Sequence, residues 1–415
     1  MKIKQIQSIQ IINSRAIPTL KTYVLLDDGN MGWAMVPQGA SRGKKEAIEI
    51  YDQEKNLFLG LSLRKNIEII ETTINAALKG INIDDQKAID QKLIELDGTE
   101  NKEKLGANTI LSVSLACVRA AANIKKIELY EQISQLYGQK NYQLPTPLFN
   151  FINGGAHAFN NLDIQEFMVI PKTQSFFSAI RIADEVYLTL KEILKVKKQS
   201  LGLGDEGGFS PNLLNDEKAL ELLMQAAKQS QNLEKIVLGL DSAAGNFYQT
   251  ASNIYTIDQK QLSSDDLIAY YQNLTAKFPI VSLEDPLQED DLSSWGKLKQ
   301  TMPKTQIVGD DLFVTNPKII QERKGLANAI IIKPNQIGTI SETLEAIKIS
   351  REQKMKIIIS HRSGETEDPF IADLAVGVGA EEVKFGSIAR SERLAKYNRL
   401  LEIEALNSLP YHQAL

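Results

Sequence analysis

Cysteine is almost absent from this chain: Cys117 is the only one in 415 residues. A single thiol rules out an intramolecular disulfide and a thiolate metal cluster. Histidine is nearly as scarce, with His157, His361 and His412 the whole complement. A centre built from several imidazoles is disfavoured, so any metal held here is expected to be a hard ion bound by oxygen. Neither sign of charge is in strong excess, since 47 Lys and Arg face 52 Asp and Glu for a formal net charge of -5. That balance gives no footing for a nucleic-acid or anionic-membrane surface. The opening MKIKQIQSIQIINSR holds no apolar run long enough for a signal peptide or a membrane span, which predicts a soluble cytoplasmic protein. A Walker lysine motif is missing, and the Asn153-Gly154-Gly155-Ala156 turn lacks the strand-turn-helix spacing of a dinucleotide fingerprint. Nucleotide chemistry is therefore disfavoured.

What is present is the composition of a folded protein, 43% hydrophobic and 24% charged. A mass of 46.2 kDa predicts two or three domains. The segments IQSIQII and LKTYVLL, with a DDGN hairpin signal after the second, predict a small antiparallel sheet in the first 37 residues. From residue 43 the period changes to three and four, as in LRKNIEIIETTINAAL, DDQKAIDQKLIELD and GANTILSVSLACVRAAAN. Residues 1–135 are thus expected to form an α+β domain, and QLYGQKNYQLPTP, about 136–147, to be the entrance to a second domain running from 136 to 415.

Apolar runs that stop abruptly at polar residues dominate the second part: QEFMVI, EKIVLGLD, FPIVSLED, TQIVGDD, NAIIIKPN, KMKIIISHRSG and EEVKFGS. Six polar termini stand at 241, 284, 310, 333, 361 and 384, separated by 43, 26, 23, 28 and 23 residues. Such intervals fit one strand, one crossover helix and two loops per repeat, with an insertion after the first. An α/β barrel is expected, with an open doubly wound sheet as the alternative that periodicity leaves standing.

Asp241, Glu284 and Asp310 each finish such a run. A carboxylate at the end of an apolar strand is costly to desolvate unless paired or metal-bound. Three on neighbouring strand ends would repel one another without a cation, which points to an all-oxygen Mg2+ site; taken singly, each is equally an acid capping the next helix. Lys333 ends AIIIK and is either a snorkelling surface lysine or a rim lysine whose proton affinity a nearby divalent cation lowers enough for general-base work. In GLGDEGGFSPN, glycines flank Asp205 and Glu206 and allow close backbone approach. SHRSG offers His361, Arg362 and Ser363 as a clamp for phosphate or carboxylate. Cys117, within LSVSLACVRAAA, reads as a buried helical residue, His412 as a solvated tail residue, and Trp33 and Trp295 as packing groups.

Over almost its whole length the chain resembles the enolase family, through IDQKLIELDGTENKEKLGANTILSVSLA, NGGAHAFNNLDIQEFMVIP, GDEGGFSPN, FPIVSLEDPLQEDD, VGDDLFVTNPK, IIIKPNQIGT, SHRSGETEDPFIADLAVG and ARSERLAKYNRLLEIE. The resemblance implies an N-terminal α+β domain and a modified eight-stranded barrel whose first units include antiparallel strands. It also implies reversible dehydration of 2-phospho-D-glycerate to phosphoenolpyruvate with two Mg2+ ions. On that basis Asp241, Glu284 and Asp310 match the ligands of the tighter metal, and Ser41 a mobile-loop ligand of the second. Lys333 matches the base, Glu206 with Glu166 nearby the group assisting loss of hydroxide, and His361 a residue beside the reacting substrate. Arg362 and Ser363 match phosphate contacts, Lys384 a carboxylate contact, and His157 and Gln165 pocket positions. A homodimer or an assembly of dimers, up to an octamer, is implied too; some members also occur at cell surfaces or secreted and bind host proteins, which the sequence leaves open.

The departures from the family pattern are concentrated. SRGNPT becomes Ser14-Arg15-Ala16-Ile17-Pro18-Thr19, and the mobile loop SGASTGEHEA becomes Gln38-Gly39-Ala40-Ser41-Arg42-Gly43-Lys44-Lys45-Glu46-Ala47. Phe159, Asn246, Pro334 and Phe385 are further departures around the expected barrel mouth. Two alternatives stay open at this stage. One is an enolase-like lyase for a related phosphorylated or phosphonylated 2-hydroxy acid, with Arg42, Lys44 and Lys45 enlarging the positive field; the other is a weakly active or inactive paralogue with a binding role.

Overall fold

The computed structural model describes residues 1–39, 43–140 and 142–413. Strands β1 (Ile3–Ile12), β2 (Pro18–Leu26) and β3 (Met31–Met35) form an antiparallel meander in the order β1-β2-β3. Alternation along β2 buries Leu20, Thr22, Val24 and Leu26 on one face. Its turn into β3 passes through Gly29 at φ 88°, a left-handed conformation that glycine adopts without steric cost. Helix α1 (Arg64–Ile69) runs through a π turn at Ile70–Ile74 into α2 (Asn75–Leu78), and α3 (Gln86–Asp97), α4 (Ala107–Lys125) and α5 (Leu129–Tyr137) follow.

Helix α4 packs on β3 with no room to spare. A Cβ added to Gly32 would stand 2.3 Å from both the Ala116 carbonyl oxygen and the Ala120 nitrogen, so only glycine lets strand and helix meet. Among the described residues α4 is the one helix long and apolar enough to cross a membrane, but 83% of its most apolar window is buried, as in a core helix. Cys117 lies there, fully buried, as expected.

After α5 come β4 (Thr146–Pro147), β5 (Phe149–Asn153), β6 (Glu166–Pro171), α6 (Phe176–Val196), α7 (Asp216–Gln229) and β7 (Ile236–Asp241). A small separate sheet, β8 (Tyr248–Gln249), β9 (Ile254–Ile257) and β10 (Lys260–Leu262), accounts for the long first interval seen in the sequence. Regular alternation then sets in: α8 (Ser264–Lys277), β11 (Ile280–Glu284), α9 (Leu292–Thr301), β12 (Gln306–Gly309), α10 (Pro317–Glu322), β13 (Ala329–Ile332), α11 (Ile340–Glu352), β14 (Lys356–Ser360), α12 (Phe370–Gly377), β15 (Glu382–Lys384) and α13 (Ser391–Leu406).

The strands pair in the order β4-β15-β14-β13-β12-β11-β7-β6-β5. Only Leu148 separates β4 from β5, and its amide donates to Val383 O at 2.8 Å, so the two are halves of one bent path that brings the ends of the order together. The result is an eight-membered ring with one irregularity: β6 runs antiparallel to both β5 and β7, while β7 and β11 through β15 are parallel. The parallel strands are buried on both faces, as in Ile330–Ile332 and Ile357–Ile359, which is why they read as unbroken apolar runs.

Two expectations need correcting. Helix α5 extends to Tyr137 and β4 starts at Thr146, so the irregular entrance is shorter than 136–147. His412 is not a solvated tail residue: its amide donates to Leu144 O at 2.8 Å and its carbonyl accepts from Thr146 Oγ1 at 2.6 Å, which docks the C-terminal segment beside β4.

Candidate active site

The reversal of β6 brings its first residue to the rim where the parallel strands end. Glu166 stands in register with Asp241 of β7, and Asp241 with Glu284 of β11. Asp310 follows β12, Lys333 follows β13, His361 follows β14, and Lys384 ends β15. Eleven of the residues given site roles above line one cleft: His157, Gln165, Glu166, Glu206, Asp241, Asp310, Lys333, His361, Arg362, Ser363 and Lys384. Glu284 lies beside them through Lys384, and Ser41 lies outside the described residues. β13, which Lys333 follows, and β6, which Glu166 begins, are four strands apart round a ring of eight, on facing walls.

The two lysines serve as counter-charges for the carboxylates. Lys384 Nζ donates to Glu284 Oε1 at 2.8 Å, Asp241 Oδ2 at 2.9 Å and Glu166 Oε1 at 3.2 Å. Burial opposes its charge, but Asp241, Glu166 and Glu284 outweigh burial and hold its pKa well above the usual lysine value. Lys333 Nζ pairs with Asp310 Oδ2, whose other oxygen accepts from Gln336 Nε2 at 2.9 Å. Burial likewise opposes the Lys333 charge and Asp310 overrides it, so the proton affinity of this lysine is raised while the pair holds. Glu284 is pushed well up, by burial first and then by Asp241.

This donor set fits a hard divalent cation. Glu284 Oε2 and Glu166 Oε2 are buried and have no hydrogen-bond donor among the described residues. Asp285, Asp310 and Asp311 each bring a carboxylate oxygen within 4.8 Å of the others. Every ligand on offer there is oxygen, as a hard ion requires. Asp285 went unnoticed in the sequence, although it is the second acid of Glu284-Asp285; it accepts from the amides of Asp310 at 2.9 Å and Asp311 at 2.8 Å and so fixes the start of that loop.

On the opposite wall, oxygens of Glu166 and Glu206 and a nitrogen of His157 lie within 4.8 Å of one another. Glu206 is held by Asn150 Nδ2 at 3.1 Å, with His157 Nδ1 at 3.6 Å and His361 Nε2 at 3.4 Å. Burial opposes ionisation of Glu206, but the two imidazoles and the Arg393 guanidinium outweigh it and draw the carboxyl well below its usual range. Glu166 moves the other way, pushed well up by burial and by the neighbouring Glu206. These opposite directions favour Glu166 over Glu206 as the holder of a proton. Burial drives His361 down to about 3, so it is neutral near pH 7. Arg393 Nη1 lies 2.7 Å from His361 Nδ1 and can only donate, which places the imidazole hydrogen on Nε2, towards Glu206. Arg393 also donates to the carbonyls of Arg362 and Ser363, at 2.5 Å and 2.6 Å, and so braces the whole SHRSG turn. Its place in an amphipathic helix, α13, gave no sign of this.

Arg362 is buried and its guanidinium donates to Glu46 at 2.9 Å and 3.2 Å and to Asn335 at 3.3 Å. A Cβ on Gly39 would come within 1.8 Å of Arg362 Nη2, so a larger residue there would have to displace the buried guanidinium. Lys44 pairs with Glu289 at 3.3 Å and Lys45 with Asp290 at 3.0 Å. These pairs, whose lysines are exposed, join the loop to the segment after β11; Arg42 lies outside the described residues. Of the other departures, Asn246 donates to Gln165 Oε1 at 3.3 Å, Pro334 opens a 3-10 turn after Lys333, Phe385 is buried against Tyr397, and Phe159 is fully exposed.

A family model described as the enolase C-terminal TIM barrel domain matches residues 141–411, and one described as the enolase N-terminal domain matches residues 3–133. The enolase of Anaplasma phagocytophilum (strain HZ) is 47% identical over 409 residues, covering 97% of this chain and 94% of that protein. With both family models and a rim of acids and lysines of this kind, the chain belongs to the enolase family.

Proposed function

We propose that the cleft dehydrates 2-phospho-D-glycerate to phosphoenolpyruvate, reversibly, as the carbon-oxygen lyase its family membership makes it. The observation that carries the residue assignment is the facing of Lys333 and the Glu166–Glu206 pair across the ring. An amine base on one wall and a proton source on the other suit an elimination in which the proton and the hydroxide leave from opposite faces. Lys333 Nζ takes the proton from carbon 2; the electron pair left there forms the double bond to carbon 3 as the carbon-oxygen bond breaks, and the pair holding its proton on Glu166 neutralises the departing hydroxide. His361, neutral with its hydrogen on Nε2, orients Glu206, while Arg362 and Ser363 receive the phosphate. His157 and Gln165 bound the pocket beside the Glu166–Glu206 pair.

Membership of the family implies a metal cofactor, and we take it to be Mg2+, two per site, with Asp241, Glu284 and Asp310 holding the first and Ser41 contributing to the second. When bound, that charge stabilises the negative charge that builds up on the substrate carboxylate as carbon 2 loses its proton. Lys333 has to be neutral to act, so relief of its pairing with Asp310 is a requirement of the reaction. Lys384, now committed to three carboxylates, is the residue we assign to the substrate carboxylate. Action in the cytoplasm, as a homodimer or an assembly of dimers, completes the proposal.

The test is Mg2+-dependent formation of phosphoenolpyruvate by purified protein, followed by absorbance, with Lys333→Ala alongside. Turnover that falls by roughly a thousandfold or more in Lys333→Ala is the expected result. Folded, Mg2+-supplied wild-type protein that makes no phosphoenolpyruvate would overturn the proposal.

A further inference from the structure

A second acidic centre lies outside the cleft. Asp163 precedes β6, Asp216 opens α7, and Asp258 sits in the turn between β9 and β10; one carboxylate oxygen of each lies within 4.8 Å of the others. None of the three lines the reaction cleft. Backbone amides tie the three segments together. Asp163 N and Ile164 N donate to Asp216 Oδ1 at 3.1 Å and 3.4 Å, Asp216 N donates to Asp258 Oδ1 at 3.2 Å, and Asp258 N to Asp163 Oδ2 at 2.6 Å.

These bonds leave one carboxylate oxygen unexplained. Asp216 is completely buried, and its Oδ2 has no hydrogen-bond donor among the described residues. No Lys, Arg or His among the described residues forms an ion pair with any of the three acids; the one further side-chain donor is Tyr270, whose hydroxyl reaches Asp258 Oδ2 at 3.2 Å. Burial first, and then Asp258 and Asp163, push the Asp216 carboxyl well up, in keeping with a charge that the protein alone satisfies poorly. Asp163 and Asp258 are partly exposed, so the cluster is open to solvent on that side. Buried Asp216, with one oxygen lacking a donor, flanked by two partly exposed carboxylates and a phenol, offers the all-oxygen donor set of a hard cation.

We propose that Asp163, Asp216 and Asp258 bind a divalent cation of the calcium class, at a site separate from the reaction centre. The ion would join three segments far apart in the sequence, and one of them leads in two residues to Gln165 and in three to Glu166. Its effect is therefore on the order of the wall that carries Glu166.

Calcium titration by calorimetry, on chelator-stripped protein held in excess Mg2+, tests this. One Ca2+ per chain is expected, with affinity at least about tenfold weaker in both Asp216→Asn and Asp258→Asn and unchanged in Lys333→Ala. Tyrosine-excited terbium luminescence, with Tyr270 as the neighbouring sensitiser, should appear in the wild type and fade in Asp258→Asn, a surface-side change that serves if Asp216→Asn does not fold. Absence of Ca2+ binding beyond what Mg2+ displaces, or equal affinity in Asp258→Asn, would overturn the proposal and leave Asp216 as a buried neutral acid.

Discussion

Three carboxylates of the barrel mouth share one ammonium. Lys384 Nζ lies within 3.2 Å of oxygens from Glu166, Asp241 and Glu284, all four side chains being buried. Removing one partner of a buried ionic group typically costs about 3–5 kcal/mol, because the remaining charge has lost both water and its counter-ion. Lys384→Met keeps much of the volume and discards the charge. In chelator its melting temperature should fall well below that of the wild type, and Mg2+ should then raise it by more than it raises the wild type, since a cation binding only the folded state restores the missing charge by mass action. Equal melting temperatures in chelator would contradict this account of Lys384. The positions of these residues were legible in the sequence, as polar ends of apolar runs. Their pairing was not: which acid keeps its proton depends on the positions of His157, His361 and Arg393, which come from a turn, a strand end and a distant helix.

Contacts between elements depend on side chains whose partners lie far away in the chain. Asp90, on the buried face of α3, accepts from Gln86 Nε2 at 2.9 Å and from Ser341 N at 3.0 Å and Oγ at 2.6 Å, at the start of α11. Burial lifts its pKa from 3.8 to about 6, and the three donors only partly offset this. A folded-state pKa above the unfolded value means that the Asp90 contribution to stability is fully present below pH 3.8 and is lost as pH rises through about 6. The loss is on the order of 3 kcal/mol. Asp90→Asn cannot titrate, so urea midpoints measured from pH 4 to 7 should have a more positive pH slope than in the wild type over this interval; parallel slopes would refute the assignment. The periodicity of α3 showed a helix with a buried face. That the buried face contains a carboxylate meeting a serine 251 positions away is a matter of how helices dock, which no local pattern encodes.

At the scale of the molecule, the N-terminal sheet and helices are keyed to the barrel by buried polar contacts. Arg119 of α4 donates to Asp368, just before α12, at 2.6 Å and 3.2 Å, bonds the Trp33 carbonyl, and lays its guanidinium 4.1 Å from the centre of the Trp33 ring. Asp368 also accepts from Met35 N at 2.8 Å and Phe370 N at 3.0 Å, so it joins β3, α4 and the barrel. Arg119→Met strands this buried carboxylate and should lower stability by about 3–5 kcal/mol. Denaturant unfolding followed by tryptophan fluorescence checks it, with an unchanged midpoint as the contrary result. Lys102 pairing with Glu342 at 2.6 Å is a second tie of the same kind.

The sequence by itself determined the parallel strands, their intervals and the residues that end them, because strands buried on both faces must be apolar throughout and can turn polar only where the barrel opens. It also determined the family, through long motifs in a fixed order. The resemblance implied antiparallel strands among the first barrel units, but it took the folded molecule to show that β4 and β5 are one bent strand closing the ring, that β6 is the reversed strand whose first residue reaches the same rim as the last residues of its neighbours, and that Lys44 and Lys45 pair with Glu289 and Asp290. Strand direction and charge pairing are set by which surfaces meet in space, and residues far apart in the chain carry no local record of that meeting.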